Sequence, residues 1–304
     1  MKRFIVNILV FFLIVAVIDF TVGKLGDYLQ THAKGGNTRT LNDLVMNDCH
    51  DVLILGSSRA HHHYDAPFLS DTLGLDVYNA GYDGNGAVLA YGLLEMVLER
   101  SRPKLLLFDV EPAFDIYEYD KDNAHKRYIS FLKPYYRNTI IGGIIKDVST
   151  EEWYKVHSGL LRYNSNLVTI IAENIFCRSS FPKGYEAMYG VYTSEPEERE
   201  AKTQILDTFK LKYVEKFMEL AKTKEIPLIV VASPKYGVMS SKELQPVKDI
   251  CKKLQIPFID YYADPLFMSH KEWFKEPMHL NYKGARLFSE EIVKTIKDNI
   301  VYIN

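Results

Sequence analysis

Asp51–His63 reads DVLILGSSRAHHH, and its reading decides the fold. Val52–Leu55 is an apolar, β-branched-containing run of strand length, and Gly56-Ser57-Ser58 ends it. From Arg59 to about Leu73 the chain can form a helix. A strand that stops at a small-residue turn and feeds a helix leaves a hydroxyl beside free backbone N–H groups and a positive helix end. That is a place for a nucleophile and equally for a bound anion. Which of the two depends on whether a base arrives from elsewhere in the chain.

Outward from this stretch the pattern repeats. Leu75–Tyr78 is a second short strand after the Gly74 turn, and it ends in NAGYDGNG, Asn79–Gly86. Ala87–Arg100 has helical spacing at Val88, Tyr91, Leu94, Val97 and Leu98, and Lys104–Val110 is a third, almost continuously apolar strand. After an interruption come helix Thr203–Lys224, strand Pro227–Ala232, helix Ser241–Gln255, strand Pro257–Asp260 and a final helix, Tyr282–Asp298. Apolar strands alternating with helices predict a parallel sheet covered on both faces, hence an α/β fold: a three-layer α/β/α sandwich with five parallel strands. No internal repeat or low-complexity segment is present.

The interruption, at about 112–200, is rich in Tyr, Phe and Trp and lacks the strand–helix rhythm. It reads as a mostly helical insertion packed over the end of the sheet, with helices at Asn138–Lys146 and Leu160–Ile175. Its aromatics form its own core, and the charge run Glu195–Lys202 starts a solvated helix.

At the other end of the chain, Lys2-Arg3 precede Phe4–Val22, apolar except for Asn7, Asp19 and Thr21. About 19 residues suffice for a span that needs roughly 20. Positive charges before it favour a cytoplasmic N-terminus with the remainder outside. An uncleaved signal-anchor over 1–23 is the favoured reading, because no small-x-small cleavage site lies near Val22. A cleaved signal peptide competes, since the strictly uninterrupted part is only Ile8–Ile18. The polar stretch after it, with Gly35-Gly36, reads as a stalk over 24–48. The chain of 304 residues is 47% apolar and 25% charged, an ordinary globular composition, and its net charge of −2 does not point to nucleic acid. Cys49, Cys177 and Cys251 have no CxxC spacing and read as buried or free thiols, with one disulfide open if the domain is extracytoplasmic. Neither a metal nor a cofactor is expected.

Near the C-terminus, Trp273–Asn281 reads WFKEPMHLN. Pro277 argues against continuous helix, so Glu276 and His279 sit on a loop ahead of the last helix. A carboxylate three residues before a histidine on a tight turn reaches Nδ1 and leaves Nε2 to face a hydroxyl, the base-plus-orienter logic of serine hydrolases.

VLILGSSR after the first strand, YNAGYDGNG after the second and ExxHLNYKGA before the last helix together resemble the SGNH (GDSL-like) hydrolase family in order and spacing. The resemblance covers about Asp51–Val110 and Lys224–Asp298. It implies an α/β/α sandwich of the kind found in extracytoplasmic esterases, lipases and acyltransferases. It also implies Ser58 as nucleophile, His279 as base, Glu276 as its orienter, and the N–H groups of Ser58 and Gly84 as oxyanion donors. Two departures stand out. Glu276 replaces the family's Asp. The third block reads Phe108-Asp109-Val110-Glu111-Pro112 in place of Gly-x-Asn, and an ionised Glu cannot donate a hydrogen bond to an oxyanion. Asn79 and Asn85 are candidate replacement donors. Arg59, on the helix after the nucleophile, and Asp109 and Glu111, at the carboxyl end of the third strand, are candidate substrate contacts; for the two carboxylates, helix capping or a pair with Arg59 is the alternative. Of His61-His62-His63, one lines the site and the others are exposed or capping. Three consecutive histidines cannot share a helical face, so a triple metal ligand set is not expected. Gly81, Gly84 and Gly86 have the wrong spacing and place for a dinucleotide fingerprint.

Gly-Ser-Ser with an N-terminal anchor looks closer to the subgroup of the teichoic-acid D-alanylation and alginate O-acetylation proteins. That likeness implies a bacterial membrane protein with one N-terminal pass and a periplasmic domain; secretion after signal cleavage is the runner-up. It implies acyl transfer or ester hydrolysis through an acyl-Ser58 intermediate, with a cell-envelope glycan or an acyl ester as substrate. A membrane-bound O-acyltransferase is the implied partner. The alternative is a non-catalytic glycan- or partner-binding module on the same fold. A phosphate-binding module using the Gly56–Arg59 turn would leave Glu276 and His279 unexplained.

Overall fold

The computed structural model describes residues 1–47, 49–118, 125–164, 166–176, 181–194 and 204–299. Its centre is a five-stranded parallel sheet of β1 (Val52–Gly56), β2 (Val77–Asn79), β3 (Leu105–Asp109), β4 (Leu228–Ala232) and β5 (Phe258–Asp260), in the order β2-β1-β3-β4-β5. Every residue of β1, β3 and β4 is buried, which is why these segments read as unbroken apolar runs. Side chains still alternate between faces. Val52, Ile54, Leu105, Leu107, Ile229 and Val231 share one core cluster with Tyr64, Phe267, Phe288 and Ile292. On the opposite face Phe108 lies 4.7 Å, centroid to centroid, from Phe217 of the Thr208–Thr223 helix.

The strand order reverses around β1, so the carboxyl ends of β1, β2 and β3 diverge there. That crevice is where open α/β sheets bind ligands. Gly56, Asn79 and Asp109 end those strands, with Gly56 and Asp109 directly in register.

The expected helix from Arg59 to Leu73 is two helices, Ser58–His63 and Ala66–Leu73. In a continuous helix the Pro67 ring would collide with the carbonyl of His63. Tyr64 turns extended instead, and Asp65 restarts the helix by accepting from Phe68 N–H at 3.1 Å. The helix expected from Thr203 starts at Thr208, where Asp207 caps it, and Glu195–Lys202 lies outside the described residues.

The chain divides into two compact units. One, Asp43–Tyr128 with Phe181–Asn304, carries the sheet; the other is Met1–Asn42 with Ile129–Ser180. In the second, Lys2–Thr31 forms one helix, the only described one long and apolar enough to cross a membrane, and its apolar side chains from Phe4 to Ile18 are exposed. The stretch expected as a stalk is helical: the first helix runs on to Thr31, Gly36–Asn42 is a second, and Asp43–Asn47 is a π-helical turn. Asp19, Gly23, Gly26, Asp27 and Gln30 fall on one helical face, which explains the packing. Asp19 accepts from the backbone of Gly159 and Leu160, both at 3.0 Å, at the start of the Gly159–Tyr163 helix. Tyr163 covers Gly26 and donates to Asp27 at 2.7 Å. Of the two helices expected in the insertion, the first is found at Thr139–Val148, while Leu160–Ile175 is two helices, Gly159–Tyr163 and Leu167–Ile175; Thr150–Lys155 is a further one. Cys49 and Cys251 are free thiols; Cys177 lies outside the described residues.

Candidate active site

The turn after β1 is built for close approach. Gly56 has φ +148°, and a Cβ there would lie 2.5 Å from the main-chain oxygen of Asp109. Only glycine fits. Ser57 is the extended N-cap, and its Oγ accepts from Arg59 N–H at 3.3 Å. Ser58 is therefore the first helical residue, where a backbone N–H has no partner one turn back.

Glu276 and His279 were expected on a loop; they face each other across a two-stranded hairpin, β6 (Phe274–Glu276) and β7 (His279–Leu280). Pro277 and Met278 make its turn. Glu276 Oε1 accepts from His279 Nδ1, and its Oε2 accepts from Met278 N–H at 2.9 Å. Nδ1 therefore carries the ring proton and Nε2 is the acceptor, 2.7 Å from Ser58 Oγ. Burial works against the Glu276 charge, but the bonds from His279 and Met278 outweigh it and hold the carboxyl below its ordinary range. An ionised carboxylate, an imidazole of fixed tautomer and a hydroxyl are thus in line. A hydroxyl so placed can give up its proton to Nε2 as it attacks a carbonyl.

Gly84 lies in a tight turn, with Asn85 N–H donating to Tyr82 O at 3.1 Å and φ +67° at Gly84. Tyr82 N–H ties that turn to Gly56 O at 3.1 Å, so it sits at the end of β1. The candidate side-chain donors are otherwise engaged. Asn79 is fully buried and donates to Ala60 O at 2.7 Å and Tyr64 O at 3.1 Å, clamping the end of the Ser58–His63 helix. Asn85 donates to Asp83 O at 3.0 Å within its own turn.

Arg59 and Glu111 do not reach outward. Arg59 Nη1 donates to Glu111 Oε2 at 2.6 Å, with side chains 0% and 2% exposed. Arg59 Nε donates to Ser233 Oγ at 3.1 Å, and the guanidinium sits 5.0 Å above the Tyr262 ring. Glu111 is thus the buried partner of Arg59.

All three histidines are buried, contrary to the expectation of exposed or capping ones. His63 Nε2 accepts from Leu280 N–H at 3.0 Å, the residue after His279, and Nδ1 donates to Ser233 Oγ at 2.9 Å. Burial, with Arg59 nearby, lowers the His63 pKa and keeps the ring neutral, as both bonds require. Ser233, Asp83 and Asp115 were missed in the sequence. Ser233 follows the carboxyl end of β4, a position that marks site residues in open sheets. Asp115 is buried; it accepts from Ala87 N–H at 2.7 Å and Glu111 N–H at 2.8 Å, and burial pushes its carboxyl up to about 7.

No family model and no curated protein matches this chain. Solved structures do. A protein from Desulfitobacterium hafniense DCB-2, described as lipolytic and of the G-D-S-L family, is 11% identical, with 80% of this chain and 98% of that one covered at a TM-score of 0.37. A protein from Streptococcus pneumonia described as a platelet activating factor is 11% identical, with 94% and 99% covered at 0.38. The esterase AlinE4, as a serine mutant, is 11% identical, with 85% and 98% covered at 0.34.

Proposed function

We propose that this chain is a membrane-anchored, extracytoplasmic SGNH-type serine esterase or O-acyltransferase acting on a cell-envelope polysaccharide. The observation that carries the reading is the 2.7 Å contact between Ser58 Oγ and His279 Nε2, with Glu276 on the far nitrogen. Ser58 attacks an ester carbonyl and its proton passes to His279. The oxyanion is met by the N–H groups of Ser58 and Gly84. Collapse expels the alcohol, which takes the proton from His279, and leaves acyl-Ser58. Water or a sugar hydroxyl, deprotonated by the same histidine, then attacks the acyl carbon and releases the acyl group, and Ser58 Oγ leaves with the proton from His279. Glu276 stabilises the imidazolium formed in each half. The exposed apolar helix behind Lys2-Arg3 supports an anchor with the domain outside. A membrane-bound O-acyltransferase would be the natural source of the acyl group.

One observation favours a second reading, a binding module on this fold. Glu111, Asn79 and Asn85 are all engaged elsewhere, so none of these three supplies a third oxyanion donor. Intact-mass analysis of the full chain after p-nitrophenyl acetate separates the two. An acetyl adduct on Ser58, absent in Ser58→Ala and His279→Ala, supports catalysis. A folded protein that stays unmodified supports binding. Adding acetylated and unacetylated envelope oligosaccharides then distinguishes transfer from hydrolysis by the rate at which the adduct clears.

A further inference from the structure

A second cluster lies beside Ser58 and His279 and takes no part in the steps above. His61 and His62 come from the helix that Ser58 opens, Asp83 from the turn after β2, and Glu186 from the segment 185–194. Each offers one donor atom, and the four atoms lie within 4.8 Å of one another. The two imidazoles are buried, while the two carboxylate side chains are 49% and 40% exposed.

The hydrogen bonds fix the tautomers. His62 Nδ1 is 2.8 Å from the main-chain oxygen of Glu186, an atom that only accepts, so Nδ1 holds the proton and Nε2 presents a lone pair. That lone pair faces Asp83 Oδ1 at 3.3 Å. His61 repeats the arrangement. Its Nδ1 is 2.9 Å from Asp83 Oδ1, and its Nε2 is left 3.9 Å from Glu186 Oε2. Two bare ring nitrogens thus lie near carboxylate oxygens, at 3.3 and 3.9 Å, an arrangement that a positive charge among the four groups would stabilise. A proton on His62 alone meets Asp83, which favours the charged ring, but leaves Glu186 unmet, and a proton on each ring would set two imidazolium rings 4.5 Å apart in a buried place. A single divalent cation supplies the charge without that repulsion.

The spacing suits such an ion. Tetrahedral zinc with bonds of about 2.0–2.2 Å needs donors about 3.3–3.5 Å apart. The observed 3.3 and 3.9 Å separations are close to this, and the wider ones, up to 4.8 Å, close by movement of the two half-exposed carboxylates. His62 also donates Nδ1–H to a main-chain oxygen, the outer contact that metal-bound histidines make.

We propose that His61, His62, Asp83 and Glu186 bind one divalent transition-metal ion of the zinc class. The ion ties the Tyr82–Asn85 turn and the segment bearing Glu186 to the helix that begins at Ser58. Its nearest ring, His62, has its centroid 5.5 Å from that of His279, so the ion lies beside Ser58, His279 and Glu276 without replacing any of them. The site stands whether or not Ser58 is a nucleophile.

The test uses the full chain in detergent, dialysed against a chelator and titrated with zinc chloride, then separately with cobalt chloride. One zinc per chain is expected to survive dialysis into metal-free buffer and to raise the melting temperature by about 5 °C at saturation. Cobalt is expected to give the intense visible absorption of a tetrahedral nitrogen–oxygen site. His62→Gln and Asp83→Asn should lose the cobalt band, Glu186→Gln should weaken zinc about tenfold, and His50→Gln, a histidine outside the cluster, should change nothing. Substituting a buried histidine can unfold the chain, so the wild-type protein and the half-exposed Glu186 carry the test by themselves. A wild-type chain with neither retained zinc nor a cobalt band overturns the proposal. So does a band that survives both His62→Gln and Asp83→Asn.

Discussion

Ser58 and Arg59 are neighbours in the chain and opposite in surroundings. Ser58 faces the hairpin, where His279 and Glu276 are partly exposed, at 19% and 39% of their side chains. Arg59 faces inward to Glu111, with neither side chain above 2% exposed. Each residue meets a carboxylate, one through an imidazole and one directly. On the open side the proton can be passed on, because His279 has a donor in front and an acceptor behind. On the closed side the charge is permanent, since a guanidinium does not give up its proton. Exposure decides which pair can do chemistry and which holds the strand ends together.

The largest test of that contrast is catalytic. Ser58→Ala and His279→Ala should each cost about 10⁴-fold or more in ester turnover, and neither should shift the melting temperature by much. Glu276→Gln, which turns the wrong hydrogen-bonding face to Nδ1, should cost about 10²–10⁴-fold, read in kcat rather than KM. The closed side should answer in stability. Arg59→Met leaves Glu111 buried and unpaired, at about 3–5 kcal/mol in a denaturant melt, and adding Glu111→Leu should restore most of it. If Arg59→Met instead changes KM with stability intact, Arg59 touches substrate and the contrast fails.

The two sides also differ in the sign of their pH dependence. Glu276 is held below its ordinary 4.5, so its contribution to stability is present above that pH and is lost as the pH falls further. Asp115, hydrogen-bonded to Glu111 N–H on the closed side, is raised from 3.8 to about 7. The folded chain keeps that proton where the unfolded chain has released it. Its contribution is complete below about pH 4 and is lost as the pH rises toward about 7. Asp115→Asn should flatten the fall in melting temperature between those values, at a cost of about 1–3 kcal/mol for the amide group that then meets a donor. An unchanged slope would put the Asp115 pKa near its ordinary value.

How much of this was legible in the sequence follows from the range of the interactions. β1, β3 and β4 were readable because burial on both faces writes itself as an apolar run. Glu276 and His279 were readable because three residues separate them, though two strands of three and two residues show no periodicity. The break at Tyr64 had its signal in Pro67. The Arg59–Glu111 pair spans 52 residues and Arg59–Ser233 spans 174, so no local pattern announces them. Asn79 looks the same in sequence whether it serves an oxyanion or, as here, the end of a helix. The polar stretch after Val22 looked like a stalk because the residues its helix buries there, Gly23, Gly26 and Gln30, carry no apolar side chain.

The central claim is that Ser58 is an activated serine, and fluorophosphonate labelling of the full chain, read by peptide mass spectrometry, tests it most directly. The account predicts one adduct, on Ser58, that disappears in His279→Ala and slows in Glu276→Gln while Arg59→Met/Glu111→Leu keeps it. A folded wild-type chain that takes no label, or takes it equally in His279→Ala, would contradict the account.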